Sequence, residues 1–327
     1  MTKKYLVTGG TGFIGRNFVE RLVREGNIVK VFDNDFRGDA ATLKTIKGHV
    51  EFIKGDIRDC AAVFKASKKI DSIVHLAFIN GTENFYKKPD LVLEVGVKGI
   101  VNVIDAAINN NVKELILASS SEVYQNPKVV PTDETASLII PDPLNPRYSY
   151  AAGKIISEMM AIHYGKYFER MLIFRPHNVY GPNMGWEHVI PQFVLRMRQL
   201  INKSPKGVIR FPIQGSGKET RAFVYIDDFV DGMMILKNKG KHLNIYHIGT
   251  EEEISISKVA LELGEYFNRT IKIVPGELTK GSTPRRCPSI LKMKKIGYWP
   301  KYSFAQGLPL IAKWYDENYH KAPGGSH

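Results

Sequence analysis

The sequence is poor in cysteine, with Cys60 and Cys287 the only two in 327 residues. Two isolated thiols build neither a disulfide framework nor a cysteine zinc site, so no metal centre is expected. Nowhere do about 18 apolar residues run together, which argues against a membrane-spanning helix. Internal repeats and low-complexity tracts are lacking as well. Charge is unbalanced but not blocked: 46 Lys and Arg stand against 33 Asp and Glu, a formal net charge of +13. A basic arm and a basic-aromatic stripe are both missing, so a nucleic-acid partner is not expected. A lysine-rich solvated surface accounts for most of this charge, and phosphorylated ligands for a few residues of it. Met1-Thr-Lys-Lys-Tyr5 enters a strand-like run at once, without a signal-peptide pattern, and a soluble cytoplasmic protein is expected. The tail 322–327, Ala-Pro-Gly-Gly-Ser-His, reads as a cloning remnant and is set aside.

Hydrophobic residues make up 43% of the chain, enough for one large domain or two intimate ones. Short apolar runs at Tyr5–Thr8, Ile28–Phe32, Glu51–Lys54, Ser72–Leu76, Leu115–Ser119 and Met171–Phe174 read as strands. Ile14–Glu25, Leu91–Asn109, Tyr150–Tyr167 and Ile226–Lys237 carry helical spacing. Such alternation predicts an α/β fold with a parallel sheet covered on both faces. After Arg175, Pro176, Pro182, Pro191, Pro205 and Pro212 break the pattern, which reads as loops and short elements closing over a ligand.

Thr8-Gly9-Gly10-Thr11-Gly12-Phe13-Ile14-Gly15 follows the first strand and opens the first helix. Gly9, Gly12 and Gly15 permit a tight turn, close approach of a pyrophosphate and close helix–strand packing. The helix N-terminus adds free N–H groups and a positive dipole end. Asp33, closing the second strand, can accept hydrogen bonds from the adenosine ribose and repels a 2′-phosphate, which favours NAD over NADP. An ordinary turn aspartate is the alternative, and Arg16 and Arg37 are nearby cations. The fold class these patterns imply is a Rossmann-type doubly wound parallel sheet with a smaller mixed α/β C-terminal lobe. The dinucleotide-binding domain takes 1–175 with 222–250 returning to it, and the lobe takes 176–221 and 251–320. Gly55-Asp56-Ile57 and His75-Leu76-Ala77 follow or close further strands, where ligands bind in such sheets. His75 itself reads as a satisfied core histidine.

Tyr150 and Lys154 are four apart in a helical stretch and share a face. Free tyrosine has a pKa near ~10, and a neighbouring ammonium favours its phenolate. Ser120 ends the fifth strand at the same crevice. With the cradle, these motifs resemble the extended short-chain dehydrogenase/reductase family, in particular its nucleotide-sugar epimerases and dehydratases. The resemblance spans essentially the whole chain. It rests also on Ser119-Ser-Ser-Glu-Val-Tyr124, Tyr150-Ala-Ala-Gly-Lys154, Arg175-Pro-His-Asn-Val-Tyr-Gly-Pro182, and Gly215-Ser-Gly-Lys-Glu-Thr-Arg221 leading to Tyr225-Ile-Asp-Asp228.

The resemblance implies Tyr150 as base, Lys154 holding the nicotinamide ribose, and Ser120 on the sugar hydroxyl. It implies cofactor contacts from Gly9, Thr11, Gly12, Phe13, Ile14, Gly15, Asp33, Asp56, Ile57, Leu76, Ala77 and Ser119. Tyr124, Asn178, Arg221 and Arg286 would meet a nucleoside-diphosphate sugar, and a homodimer or higher homo-oligomer is implied. Two positions depart from the pattern: Gly96 stands where asparagine is common, and Ser289 where aspartate is frequent. The implied first step is oxidation of a sugar carbinol, usually at carbon 4. For the fate of the keto sugar, epimerisation is the first expectation, decarboxylation of a nucleotide-linked uronic acid the second, and release of the keto sugar the third. Ser121 weighs against a 4,6-dehydratase, which uses an Asp-Glu pair there. An NAD-binding sensor is disfavoured because Tyr150 and Lys154 are both present. If the fifth strand runs on, Glu122 faces the crevice beside Ser120. There it is expected to move a proton, to contact the sugar, or to serve as a structural partner of a cation.

Overall fold

A computed structural model describes residues 2–46, 48, 50–278 and 281–323, so positions 324–327 of the expected tail lie outside the described residues. Seven strands form one parallel sheet. In chain order they are Lys4–Thr8, Ile28–Asp33, Val50–Lys54, Ser72–His75, Glu114–Ala118, Arg170–Pro176 and Asn244–Ile248. In space the order is third, second, first, fourth, fifth, sixth, seventh. The direction of winding reverses between the first and fourth strands, and this opens a crevice at their carboxyl ends.

The central strands are apolar throughout because both faces are covered. Successive side chains point to opposite sides. Tyr5 and Val7 join one core with Phe18, Val19 and Leu22 of the first helix (Phe13–Arg24) and with Phe229 and Met233 of the helix Ile226–Lys239. Leu6 joins the other, with Val63 of Cys60–Ala66, Ile100 and Ile104 of Pro89–Asn109, and Ala161 of Ser149–Tyr164.

Beyond Pro176 the chain is more regular than its prolines suggest. Val189–Lys203, Ile256–Tyr266 and Phe304–Glu317 are all helices. Pro191 lies in the first turn of Val189–Lys203, where its missing N–H has no helical partner to lose. A three-stranded sheet of Glu253–Ser255, Thr220–Ala222 and Arg285–Arg286, and a pair of Ile271–Val274 with Ile209–Pro212, complete this mixed lobe. Its residues Phe211, Ile254, Leu263 and Ile311 belong to the same core as Tyr5 and Val7. Among the described residues no helix is long and apolar enough to cross a membrane.

Candidate active site

One cavity of about 880 Å³ lies over the crevice. Its floor is the glycine turn. Gly9 has φ +74°, and a Cβ there would fall 2.6 Å from the Ala77 nitrogen, so only glycine lets the loops after the first and fourth strands touch. A Cβ on Gly15 would lie 2.2 Å from the Gly9 carbonyl oxygen. The first helix starts at Phe13 behind Gly12 with no side-chain cap, which leaves its first N–H groups to a ligand. Thr11 is buried, and its Oγ1 has no partner among the described residues. Asp33 accepts from the Thr11 amide at 3.0 Å and the Asp35 amide at 2.9 Å, so the carboxylate is aimed at the turn with lone pairs remaining. This uncapped glycine floor fits a dinucleotide pyrophosphate, and the Asp33 carboxylate beside it fits a ribose hydroxyl.

Phe13, Ile14, Asp56, Ile57, Leu76, Ala77, Ser119, Ser120, Glu122, Tyr150, Lys154, Asn178 and Arg286 line the same cavity. Asp56 is engaged by Arg58 at 2.8 and 3.0 Å and by Asn34 at 3.1 Å, so part of its accepting capacity is already used. The Ser119 hydroxyl turns inward and donates to Glu158. His75 is a core histidine, bonded through Nδ1 to Thr8 Oγ1 at 2.7 Å.

Tyr150 sits on the first turn of Ser149–Tyr164. Its ring stacks on Phe85 at 4.8 Å and meets Phe78 edge-on at 5.1 Å. Burial pushes its phenol up to about 12, against the pull of the Ser120 hydroxyl. One turn on, Lys154 donates to the Ala118 carbonyl at 2.7 Å, and burial pulls its ammonium down to about 7. Burial is the largest influence on this phenol because apolar rings surround it, while the Lys154 ammonium turns to the fifth strand.

The fifth strand stops at Ala118, and Ser120 caps a short 3-10 turn, Ser121–Tyr124. Alternation along a strand therefore does not position Glu122. It reaches the cavity from that turn and pairs with Arg286 at 2.6 Å. Burial pushes the Glu122 carboxyl up, but Arg286, Arg147 and Arg221 outweigh it and hold the group below its ordinary range. Arg286 also donates to Thr283 at 3.0 Å, while its buried Nε has no partner among the described residues.

Two expected ligand residues are not brought to the cavity wall. Tyr124 is buried, bonded to His247 at 2.6 Å and to Arg175, because the 3-10 turn points its ring into the core. Arg221 donates to its neighbour's carbonyl, Thr220 O, at 2.7 Å and stands near Glu122 and Arg286. Trp186 packs on Tyr315 at 4.7 Å while also lining the cavity, as does His188. The sequence reading missed Phe78 and Arg58, which lie on loops, and Phe85, which lies on the short helix Thr82–Lys87. Only the adjacency of Phe78 to His75-Leu-Ala77 signalled it. Among the described residues no cluster of His, Cys, Asp or Glu could hold a metal ion.

Comparison with known proteins agrees with this geometry. The chain is 29% identical to UDP-N-acetyl-alpha-D-glucosaminuronate decarboxylase of Bacillus cytotoxicus, covering 97% of this chain and 99% of that one. A solved UDP-glucose 4-epimerase of Thermotoga maritima superposes with a TM-score of 0.84 at 26% identity, over 97% and 99% of the two chains. The dTDP-glucose 4,6-dehydratase of Streptomyces venezuelae, solved with NAD bound, gives 0.85 at 28% identity over 99% and 100%. Three reactions are represented, and epimerisation has no special support among them. A family model matches residues 5–249, and the chain is an enzyme of the NAD-dependent epimerase/dehydratase family.

Proposed function

We propose that the protein oxidises carbon 4 of a nucleoside-diphosphate-linked uronic acid and releases carbon dioxide from the keto sugar. Bound over the glycine turn, NAD supplies the hydride acceptor and later the hydride donor. Ser120 hydrogen-bonds the reacting hydroxyl, Tyr150 takes its proton, and Lys154 orients the nicotinamide ribose. Asn178 and Arg286 hold the diphosphate from the cavity wall, with Arg221 behind them. Once carbon 4 is a ketone, the neighbouring carboxylate is β to it. The carbon 5–carbon 6 bond breaks, carbon dioxide leaves, and the electron pair enters an enolate. Carbon 5 then takes a proton from solvent, and with reduced NAD bound carbon 4 would regain the hydride while Tyr150 returns its proton to the carbon 4 oxygen.

The Glu122–Arg286 pair beside Ser121 carries this reading. Dehydration needs an acid to protonate a departing hydroxyl. Ser121 is not one, and Glu122 is held anionic. Decarboxylation needs no such acid, because the ketone itself receives the electrons. The similarity to a whole-length uronate decarboxylase supports the same choice. Epimerisation also needs no acid here and is the second reading, favoured by the fold's likeness to the 4-epimerase. Incubation with UDP-glucuronic acid, UDP-N-acetylglucosaminuronic acid, UDP-glucose and dTDP-glucose, with product masses read afterwards, decides. Loss of carbon dioxide from a uronate is expected. An unchanged mass at a new retention time would replace decarboxylation by epimerisation, and loss of water would overturn both.

A further inference from the structure

Gly96 and Gly153 have a joint consequence at the catalytic pair. A Cβ on Gly96 would fall 2.4 Å from the Phe78 ring tip, and a Cβ on Gly153 would fall 2.9 Å from the same atom. The two helices Pro89–Asn109 and Ser149–Tyr164 thus leave a notch that the ring fills. From there its face lies over the Lys154 ammonium, with Nζ 4.1 Å from the ring centroid, and the ring stands T-shaped to Tyr150 with centroids 5.1 Å apart. Phe78 comes from the loop after the fourth strand and touches both members of the pair.

We propose that Phe78 is a positioning residue for Tyr150 and Lys154, its ring seated between Gly96 and Gly153 so that its π face caps the ammonium. An ammonium has three donors. The Ala118 carbonyl takes one. The aromatic face stands where a second polar partner would otherwise be needed, and the electron-rich ring stabilises the charged form. Fewer directions remain open to Nζ, so the lysine is aimed rather than free to swing. The proposal rests on Tyr150 and Lys154 being the catalytic pair.

Other groups facing Lys154 are few. Tyr150 and Glu158 come from its own helix, and His75 comes from the fourth strand. Burial holds His75 neutral, down at about 3. The charge of Glu158 is engaged by Arg175 at 2.8 and 2.6 Å. The ring of Phe78, nearer to Nζ than that of Tyr150, is therefore a neighbour whose removal changes the ammonium without changing a formal charge.

Titration of the lysine Cε signals by NMR, with Lys154 assigned through Lys154→Met, reads the contact directly in the cofactor-free protein. Phe78→Leu keeps an apolar side chain but removes the π face. The Lys154 midpoint should then fall by about half a pH unit or more. Gly96→Ala pushes the ring off its seat and should lower the midpoint in the same direction. In the Phe78→Leu background, Gly96→Ala should add little, because the shorter side chain no longer fills the notch. An unchanged midpoint in Phe78→Leu overturns the proposal. So does a rise toward the ordinary lysine value, since Phe78 would then be only a cover that excludes water. If Phe78→Leu does not fold, Gly96→Ala alone gives the same decision. Substrate is not used, so the result stands apart from the reaction assigned above.

Discussion

A buried phenol is a poor base, and Tyr150 is pushed up to about 12 by its aromatic surroundings. Under the function proposed above, its usefulness as a base would depend on Ser120, Lys154 and a bound nicotinamide ring facing it at the moment of transfer. Tyr150→Phe should keep NAD affinity within about twofold but slow hydride transfer by about 10²–10⁴. Single-turnover absorbance of the nicotinamide measures this, and near-normal turnover would remove Tyr150 as the base. Glu122 has a different character. Because it is tied to Arg286, its loss leaves a buried guanidinium unpaired in the cavity. Glu122→Gln should therefore slow NAD reduction and product formation together. Accumulation of NADH with a stalled keto sugar would instead assign Glu122 a proton-transfer step after oxidation.

At the scale of elements, function sits where regular structure stops. The first strand ends in the glycine turn, the fourth in Leu76-Ala77, and the fifth in the Ser120-capped 3-10 turn. Each end supplies what a continued strand could not: free amides, a close backbone approach, or a redirected carboxylate. The first helix is the most exacting of these joints, because its Gly15 packs on the Gly9 carbonyl. Gly15→Ala forces backbone apart, an overpacking that costs about 1–3 kcal/mol. The displaced turn should lower NAD affinity at least about tenfold, read by calorimetry. Affinity within about twofold of wild type would show that the turn absorbs a methyl group and that the cradle is less tight than its geometry implies.

For the whole molecule, buried histidines set a limit on the acid side. Burial holds His75 and His247 neutral, down at about 3, and His188 at about 4, with His177 shifted the same way. In the unfolded chain each titrates near 6.5. Below that value the unfolded state binds more protons than the folded one, so stability falls as the pH drops. The contribution is complete above about 6.5 and is lost progressively on the way down to the folded values. Each histidine adds a slope of about 1.4 kcal/mol per pH unit in that window. Urea midpoints measured between pH 7 and 5, above most carboxylate titrations, should fall steeply. A flat profile would mean that water or a local opening reaches these rings. The buried Arg175–Glu158 pair, bonded at 2.8 and 2.6 Å, is a second whole-molecule support, joining the sixth strand to the helix of Tyr150.

The sequence alone determined the alternation of strand and helix, the glycine cradle, the acid at Asp33 and the Tyr150–Lys154 spacing. These are local patterns: periodicity of 2 or 3.6 and residues a few positions apart carry them. Burial of both sheet faces was legible for the same reason, in the unbroken apolar run Ile116-Leu117-Ala118. The helix Val189–Lys203 was hidden because a proline reads as a breaker unless its place in the first turn is known. Only tertiary structure decided that Glu122 meets Arg286, 164 positions later, or that Tyr124 turns into the core. Phe78, Gly96 and Gly153 likewise become one unit only when two helices and a loop converge. Such contacts depend on where distant elements pack, and no local periodicity encodes that distance.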